Sequence, residues 1–205
     1  MRDGLGVPCG YDTDVNGACL GEVLFGAARG LETVLYLTVG TGIGAGVYAE
    51  GHLLHGMLHP EAGHIELARV PGDEAFAGVC PSHPSCFEGL ASGPAVMRRY
   101  GVPRASQLAD DEHFLELESS YIAQGLLAYM HVLSPQRIVL GGGVPDHAPA
   151  LMPRVRAKVL ARNAGYLSAP ELADIDTYIV APGCDGNQGV LGAIALGAEA
   201  LAQAS

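Results

Sequence analysis

Hydrophobic residues in this chain recur with two spacings, and each spacing predicts a different secondary structure. Short runs rich in β-branched and aromatic residues predict strands over residues 33–39, 43–49, 65–68, 137–140 and 178–180. Segments with a helical period, or with mainly small apolar residues, predict helices over residues 16–29, 87–91, 94–100, 112–133, 148–163 and 189–201. Strands alternate with helices after the first pair of strands, so the predicted fold class is α/β.

Residues 71–86 follow neither spacing, and this segment is predicted to be a loop. It ends in Cys-Pro-Ser-His-Pro-Ser-Cys, which puts Cys80, His83 and Cys86 close together, and His64 lies upstream. Zinc binds four tetrahedral nitrogen and sulfur ligands, and the prolines lower the entropy that the loop loses on ordering. We therefore predict one zinc ion per chain, because nothing else in the sequence explains how this loop is held. The alternative is two free thiols and two surface histidines.

The composition narrows the class of protein. A hydrophobic content of 49% is enough for a real core. The formal net charge of −11 argues against a nucleic-acid partner, which requires clustered Lys and Arg, but it does not exclude a single nucleotide. Neither a bilayer-spanning apolar run nor a signal peptide is present in the sequence, so we expect a cytoplasmic protein without a membrane partner. The cysteines would be reduced there, and Cys9, Cys19 and Cys184 are expected to be small buried hydrophobic residues.

Two glycine turns follow predicted strands. Gly40, Thr41 and Gly42 lie between the first two strands, where glycine lets the backbone approach a phosphate and threonine adds a hydroxyl donor. Gly141, Gly142 and Gly143 end a later strand, and α/β sheets bind nucleotides beyond the carboxyl ends of strands. Each turn could equally be an ordinary tight turn.

Three carboxylates stand next to these features. Asp14 lies at a predicted helix start, where a helix cap is the simpler interpretation. Glu61 precedes His64 by three residues, and Glu88 follows Cys86 by two. A carboxylate fixed beside such a loop can accept hydrogen bonds from two sugar hydroxyls. The simpler interpretation of each is a surface residue.

Together these segments resemble the ROK family of sugar kinases, and within it the zinc-dependent fructokinase type. The matching stretches are TDVNGACLGE, LTVGTGIGAGV, HPEAGHIEL, CPSHPSCFEGLASGPA, RIVLGGGV, AGYLSAPEL and YIVAPG…GVLGAIALG. They occur in the family's order over nearly the whole chain, and the cysteine-rich loop followed by EGLASGPA is highly specific. The resemblance implies an actin-like, ribonuclease H-like ATPase fold with the sugar in a cleft.

The resemblance also implies roles for particular residues. Asp14 matches the catalytic base, which takes the proton from the sugar hydroxyl as this attacks the γ-phosphate of ATP. The other implied sugar-binding residues are Glu61, His64 and Glu88, and His64 is also a zinc ligand with Cys80, His83 and Cys86. The implied nucleotide-binding residues are Gly40, Thr41 and Gly42 at the phosphates and Gly141, Gly142 and Gly143 beside the adenosine. Mg²⁺ is expected with the ATP.

The sequence departs from the family at its N-terminus. Nothing matches the family's first lobe with its Asp-x-Gly-Gly-Thr turn, so residues 1–205 are expected to be the C-terminal region, with the zinc loop at 64–86. The last helix, about 189–203, would then pack on the absent lobe. The implied function is ATP-dependent phosphorylation of a hexose, and the best candidate reaction is fructose to fructose 6-phosphate. The resemblance also implies a homodimer. Whether this chain is active alone is left open. The alternative is a non-catalytic, zinc-stabilised sugar-binding remnant or a ROK-type regulator without its DNA-binding part.

Overall fold

A mixed five-stranded sheet forms the centre of the fold in the computed structural model, which describes Gly4 and residues 6–204. The strands are β1 Val34–Val39, β2 Ile43–Ala49, β3 His52–Leu53, β4 Arg137–Gly141 and β5 Ile179–Val180. Their order across the sheet is β3-β2-β1-β4-β5. β1 pairs antiparallel with β2 and parallel with β4, so the carboxyl ends of β1 and β4 meet at one edge of the sheet. The described residues exclude both ends of the predicted domain 1–205. They also exclude part of the N-terminal segment in which the sequence shows no signal peptide.

Helices cover both faces of this sheet. They are α1 Asp14–Phe25, α2 Phe87–Ala91, α3 Gly93–Tyr100, α4 Glu112–Leu133, α5 Gly143–His147, α6 Leu151–Asn163, α7 Ile175–Tyr178 and α8 Gln188–Ala204. Short 3-10 turns span Ala62–His64, Ala105–Leu108 and Pro170–Ala173. None of the helices built from the described residues has the length and apolarity required to cross a bilayer.

The two faces of β1 are buried against different helices. Leu35 and Leu37 point into a large core with residues of α2, α4 and α6. Val34 and Tyr36 point to the opposite face, into a smaller core with residues of α1. This alternation follows from the two-residue period of a strand. Because both faces are covered, β1 is apolar at every position except Thr38, as a central strand is expected to be.

The α/β prediction is confirmed, and the predicted bounds of β2, α2 and α4 match the structure. The strand predicted over residues 65–68 is wrong, because this segment pairs with the cysteine-rich loop through an isolated Glu66–Cys86 bridge and lies outside the sheet. The first helix ends at Phe25 rather than residue 29, before a turn that begins at Gly26. The sequence pattern also missed β3, which is only two residues long, and α5, which starts within the glycine run.

Burial of the remaining cysteines agrees with expectation at two positions. Cys19 and Cys184 are buried, and burial raises the pKa of the Cys19 thiol to about 12. Cys9 is only half-buried, so the expectation of a core residue is wrong there.

The last helix packs on α1 through glycine. A Cβ atom at Gly192 of α8 would lie 1.7 Å from the carbonyl oxygen of Gly17, and one at Gly21 would lie 2.1 Å from that of Gln188. The two backbones therefore touch where side chains are absent. The outer side of α8 exposes Val190, Ile194 and Leu201, and its packing against a further lobe stays a prediction.

Two substitutions in α8 test this contact. In the 205-residue chain, Gly192→Ala should lower the free energy of unfolding by about 1–3 kcal/mol, because the methyl group meets backbone atoms that cannot move aside. Gly197→Ala, on the exposed side of the same helix with open space around it, should raise stability by up to about 1 kcal/mol. Thermal unfolding of both variants measures the difference. Equal effects of the two substitutions would contradict the close contact.

Candidate functional site

A cleft of about 410 Å³ opens where β1 ends and α1 begins. Four parts of the chain form its walls: the start of α1, the turn and strand after β1, the segment before the first 3-10 turn, and α2. The lining residues are Thr13, Asp14, Val15, Thr38, Gly40, Thr41, Gly42, Ile43, Gly44, Ala45, His59, Pro60, Glu61 and Glu88. The fold thus brings Asp14, Glu61 and Glu88 to the same cleft as the glycine turn.

Asp14 occupies the first turn of α1 but does not cap the helix. The cap is Thr13, whose hydroxyl accepts a hydrogen bond from the Asn16 N–H at 3.1 Å. The Asp14 carboxylate accepts a bond from the Val15 N–H at 2.9 Å and is exposed to the cleft. The simpler interpretation of Asp14 as a cap is therefore wrong. A negative charge is favoured here because the helix N-terminus carries a partial positive charge.

Glu88 connects α2 to the glycine turn. Its Oε2 atom accepts a hydrogen bond from the Ile43 N–H at 3.0 Å. A Cβ atom at Gly42 would lie 2.8 Å from the same oxygen, so glycine leaves the space that this bond requires. On the other side of the turn the Gly93 N–H donates to the Gly40 carbonyl at 2.7 Å. The turn is thus held from both sides by residues that follow the cysteine-rich loop.

Four side chains that could hold a metal ion converge beside this cleft. The ligand atoms of His64, Cys80, His83 and Cys86 all lie within 4.8 Å of one another. The His64 Nδ1 atom is 3.6 Å from Cys86 Sγ and 3.9 Å from Cys80 Sγ, and His83 Nδ1 is 3.6 Å from Cys80 Sγ. Tetrahedral bonds of about 2.3 Å to sulfur and about 2.0–2.1 Å to nitrogen would separate the two atom types by about 3.6 Å. The donor set and its spacing therefore fit one tetrahedral ion.

The two thiols of this cluster differ in environment. Burial raises the pKa of Cys86, which lies at the start of α2 and accepts a bond from the Gly89 N–H at 3.4 Å. A hydrogen bond from the Ser82 backbone and further bonds from His83 lower the pKa of the more exposed Cys80. A metal ion requires both groups as thiolates.

Hydrogen bonds from two arginines also hold the cysteine-rich loop. Arg69 donates to the carbonyls of Phe76 and Pro84, which lie on opposite sides of the loop. Arg99 donates to both oxygens of buried Asp73, at 2.9 and 3.0 Å, and Tyr121 donates to Asp73 at 2.6 Å. The expectation that only a metal could hold this loop is therefore wrong, because distant side chains provide a second attachment.

A second cleft of about 470 Å³ adjoins the first through Gly40 and Thr41. Gly143 lines it, together with Val144, Met97 and Arg104 among others. Gly141 and Gly142 are absent from its lining. Both are closely packed, since an added Cβ atom would lie 2.6 Å from Pro182 at Gly141 and 2.5 Å from the Val39 carbonyl oxygen at Gly142. Of the second glycine run, Gly143 alone reaches the cleft within the described part of the chain.

His64 lies in the metal cluster and outside the set that lines the first cleft. Its N–H donates to the Glu61 carbonyl at 3.0 Å, so the two residues share one 3-10 turn. The Glu61 carboxylate accepts a bond from His59 at 2.8 Å. Sequence reasoning missed Thr13 and His59 as lining residues. The only signal for them in the sequence is that Thr13 precedes Asp14 and that His59 lies two residues before Glu61.

Comparison with known proteins shows the family of this chain. The model of the ROK family matches residues 1–200. The chain belongs to the ROK family. It is 46% identical over 202 residues to a Bacillus subtilis protein named as a candidate fructokinase, covering 98% of this chain and 67% of that protein. It is 41% identical over 197 residues to the fructokinase of Zymomonas mobilis, covering 96% and 64%.

A solved structure supports the same family at the level of the fold. The ROK hexokinase of Thermus thermophilus matches with a TM-score of 0.75 and 29% identity, covering 100% of this chain and 69% of the hexokinase. The fold is therefore that of actin-like ATPases, as the resemblance implied. The chain is of the sugar-kinase type and spans about two thirds of the length of these relatives.

Replacing one ligand tests the metal cluster. Cys86→Ser should lose most of the bound metal and lower stability by about 3 kcal/mol or more, which corresponds to about 6–12 °C in Tm for a chain of this size. Elemental analysis of protein purified without added metal, together with thermal unfolding, measures both effects. Cys9→Ser, which removes a thiol far from the cluster in sequence, is the control and should change neither. Unchanged metal content in Cys86→Ser would refute the assignment of this ligand.

Proposed function

We propose that this chain forms the sugar-binding and metal-binding part of an ATP-dependent hexose kinase whose preferred sugar is fructose, giving fructose 6-phosphate. One observation carries the proposal: the exposed carboxylate of Asp14 shares a cleft with the Gly40–Gly42 turn, with Glu61 and Glu88 in the other walls. A base, a phosphate-binding turn and hydroxyl acceptors are the parts that phosphoryl transfer to a sugar requires.

In this proposal Asp14 acts as the general base. Its carboxylate takes the proton from the sugar hydroxyl, and that oxygen attacks the γ-phosphorus as the bond to the leaving diphosphate breaks. The start of α1 places the Asp14 carboxylate beside the partial positive charge of the helix N-terminus. Glu61, Glu88 and, from the adjacent 3-10 turn, His64 orient the sugar by accepting or donating hydrogen bonds.

The turn between β1 and β2 would bind the phosphates. Backbone N–H groups of Gly40 and Gly42 and the Thr41 hydroxyl can donate to phosphate oxygens. The second cleft, which shares Gly40 and Thr41 with the first and is otherwise mainly apolar, suits the nucleoside beside Gly143. Gly141 and Gly142 support this segment from behind. Mg²⁺ bound with the nucleotide would neutralise charge on the transferred phosphoryl group.

Zinc is the ion that we propose for the cluster of His64, Cys80, His83 and Cys86. Two thiolates and two imidazoles at tetrahedral spacing are a structural zinc donor set. Zinc there would fix His64 beside Glu61. It would also fix Cys86 at the start of α2, two residues before Glu88, so a single ion would hold two walls of the cleft.

Fructose is preferred over other hexoses because the Zymomonas mobilis relative is a fructokinase. The same likeness argues against a non-catalytic remnant or a regulator, because these two relatives are named as fructokinases and match nearly the whole of this chain. A homodimer remains a prediction that follows from the family resemblance, and a cytoplasmic location remains a prediction that follows from the sequence.

A coupled assay of the full-length gene product tests the proposal. Among fructose, mannose and glucose, fructose should give the highest kcat/KM.

Asp14→Asn should lower kcat by about 10²–10⁴-fold, because the amide cannot accept the proton, while metal content and Tm stay unchanged. Asp110→Asn, an exposed residue outside both clefts, is the matched control and should retain full activity. Retained turnover in Asp14→Asn would remove Asp14 as the base, and no turnover with any hexose in the wild type would overturn the kinase assignment.

A further inference from the structure

An irregular segment, residues 54–60, lies between β3 and the first 3-10 turn and leads directly to Glu61. Its tip is poorly packed, since Met57 is 96% exposed and Leu58 is 64% exposed. Burial of apolar surface therefore contributes little to its position, and hydrogen bonds are left to define it. One such bond joins the Leu54 N–H to the Val47 carbonyl at 2.8 Å and attaches the segment to β2.

His55 attaches the same segment to the start of α1. Its Nε2 atom lies 2.9 Å from Oδ2 of Asp12, which is two residues before Asp14. Its Nδ1 atom faces the Leu53 carbonyl at 3.2 Å. Both ring nitrogens thus face acceptor oxygens, and the Nε2 atom also lies 3.4 Å from the Asn16 Nδ2 atom.

Asp12 is a fixed partner for this histidine. Its side chain is only 6% exposed. The other carboxylate oxygen accepts bonds from the Asn16 side-chain amide at 2.7 Å and from the Thr13 N–H at 2.8 Å. Burial by itself would raise the pKa of Asp12, but the hydrogen bonds from Asn16, Thr13 and His55 outweigh it and lower the pKa. The buried carboxylate therefore stays charged.

The pair connects two opposite walls of the first cleft. Asp12 and its partners Thr13 and Asn16 belong to the start of α1, which presents Asp14, whereas His55 belongs to the segment that presents His59 and Glu61. We propose that Asp12 and His55 are positioning residues that set the separation between Asp14 and Glu61 and thereby the affinity for the sugar. This inference rests on the proposed function, and neither residue lines the cleft or takes part in proton transfer.

Substitution of His55 in the full-length gene product tests the inference. His55→Ala should raise the KM for fructose, and the Kd for fructose measured by calorimetry, by on the order of ten-fold. The value of kcat should change by less than about three-fold, because a displaced wall weakens sugar binding before it affects proton transfer to Asp14. His55→Gln, whose amide can still donate to Asp12, should recover part of the loss. His52→Ala, an exposed histidine on the adjacent strand β3, is the matched control and should behave as wild type.

A double-mutant cycle and hydrogen exchange separate positioning from a general loss of structure. Asp12→Asn combined with His55→Ala should cost no more in Kd than the larger single effect, because either substitution removes the same bond. Amide exchange over residues 54–61 should increase in His55→Ala while exchange in α4 stays unchanged. Increased exchange without a change in Kd would show that the pair only stabilises the structure. Unchanged exchange and unchanged Kd would show that the pair has no role in either. Each of these results would overturn the inference. Wild-type protein that neither binds nor phosphorylates any hexose would instead overturn the proposed function on which the inference rests.

Discussion

The turn between β1 and β2 depends on two hydrogen bonds from the residues that follow the metal cluster. Glu88 accepts from the Ile43 N–H at 3.0 Å, and Gly93 donates to the Gly40 carbonyl at 2.7 Å. Both clefts share this turn through Gly40 and Thr41. Any displacement of α2 or α3 would therefore move the common wall of the two clefts, so the order of the cysteine-rich loop determines the geometry of the whole site.

That loop has two attachments of different chemistry. The cluster of thiols and imidazoles holds its second half, whereas buried Asp73, bonded to Arg99 and Tyr121, holds its first half. A buried ion pair contributes little net stability, because desolvation offsets the attraction, but losing one partner leaves a costly unpaired charge. Fully buried Glu118 lies near this pair, and burial raises the pKa of its carboxyl group well above the ordinary value. If the cluster binds zinc as proposed, loss of the ion would loosen the loop near Cys80 and Cys86 more than near Asp73.

Under the proposed function, the distribution of charge separates the part of the site for the sugar from the part for the nucleotide. Asp14, Glu61 and Glu88 make their walls of the first cleft acidic, and these walls would suit a neutral, hydroxyl-bearing sugar better than a phosphate. Phosphates instead require the backbone donors of the glycine turn and a cation bound with the nucleotide. An acidic protein with a net charge of −11 is thus compatible with the proposed nucleotide binding, because backbone dipoles rather than arginine clusters would provide the contacts.

The sequence by itself determined the features that one segment can encode. The β-branched and aromatic composition of β1, the helical stripe of α4 and the ligand spacing from Cys80 to Cys86 were all readable locally, and the family resemblance rested on matching stretches such as CPSHPSCFEGLASGPA. Tertiary structure decided which segments meet. It made Thr13 rather than Asp14 the cap of α1, joined Asp73 to Arg99, brought His55 to Asp12 and packed Gly192 on Gly17. Hydrophobic periodicity reports which face of a segment is buried, but a contact between residues tens of positions apart depends on how those faces pack, which no single stretch of sequence specifies.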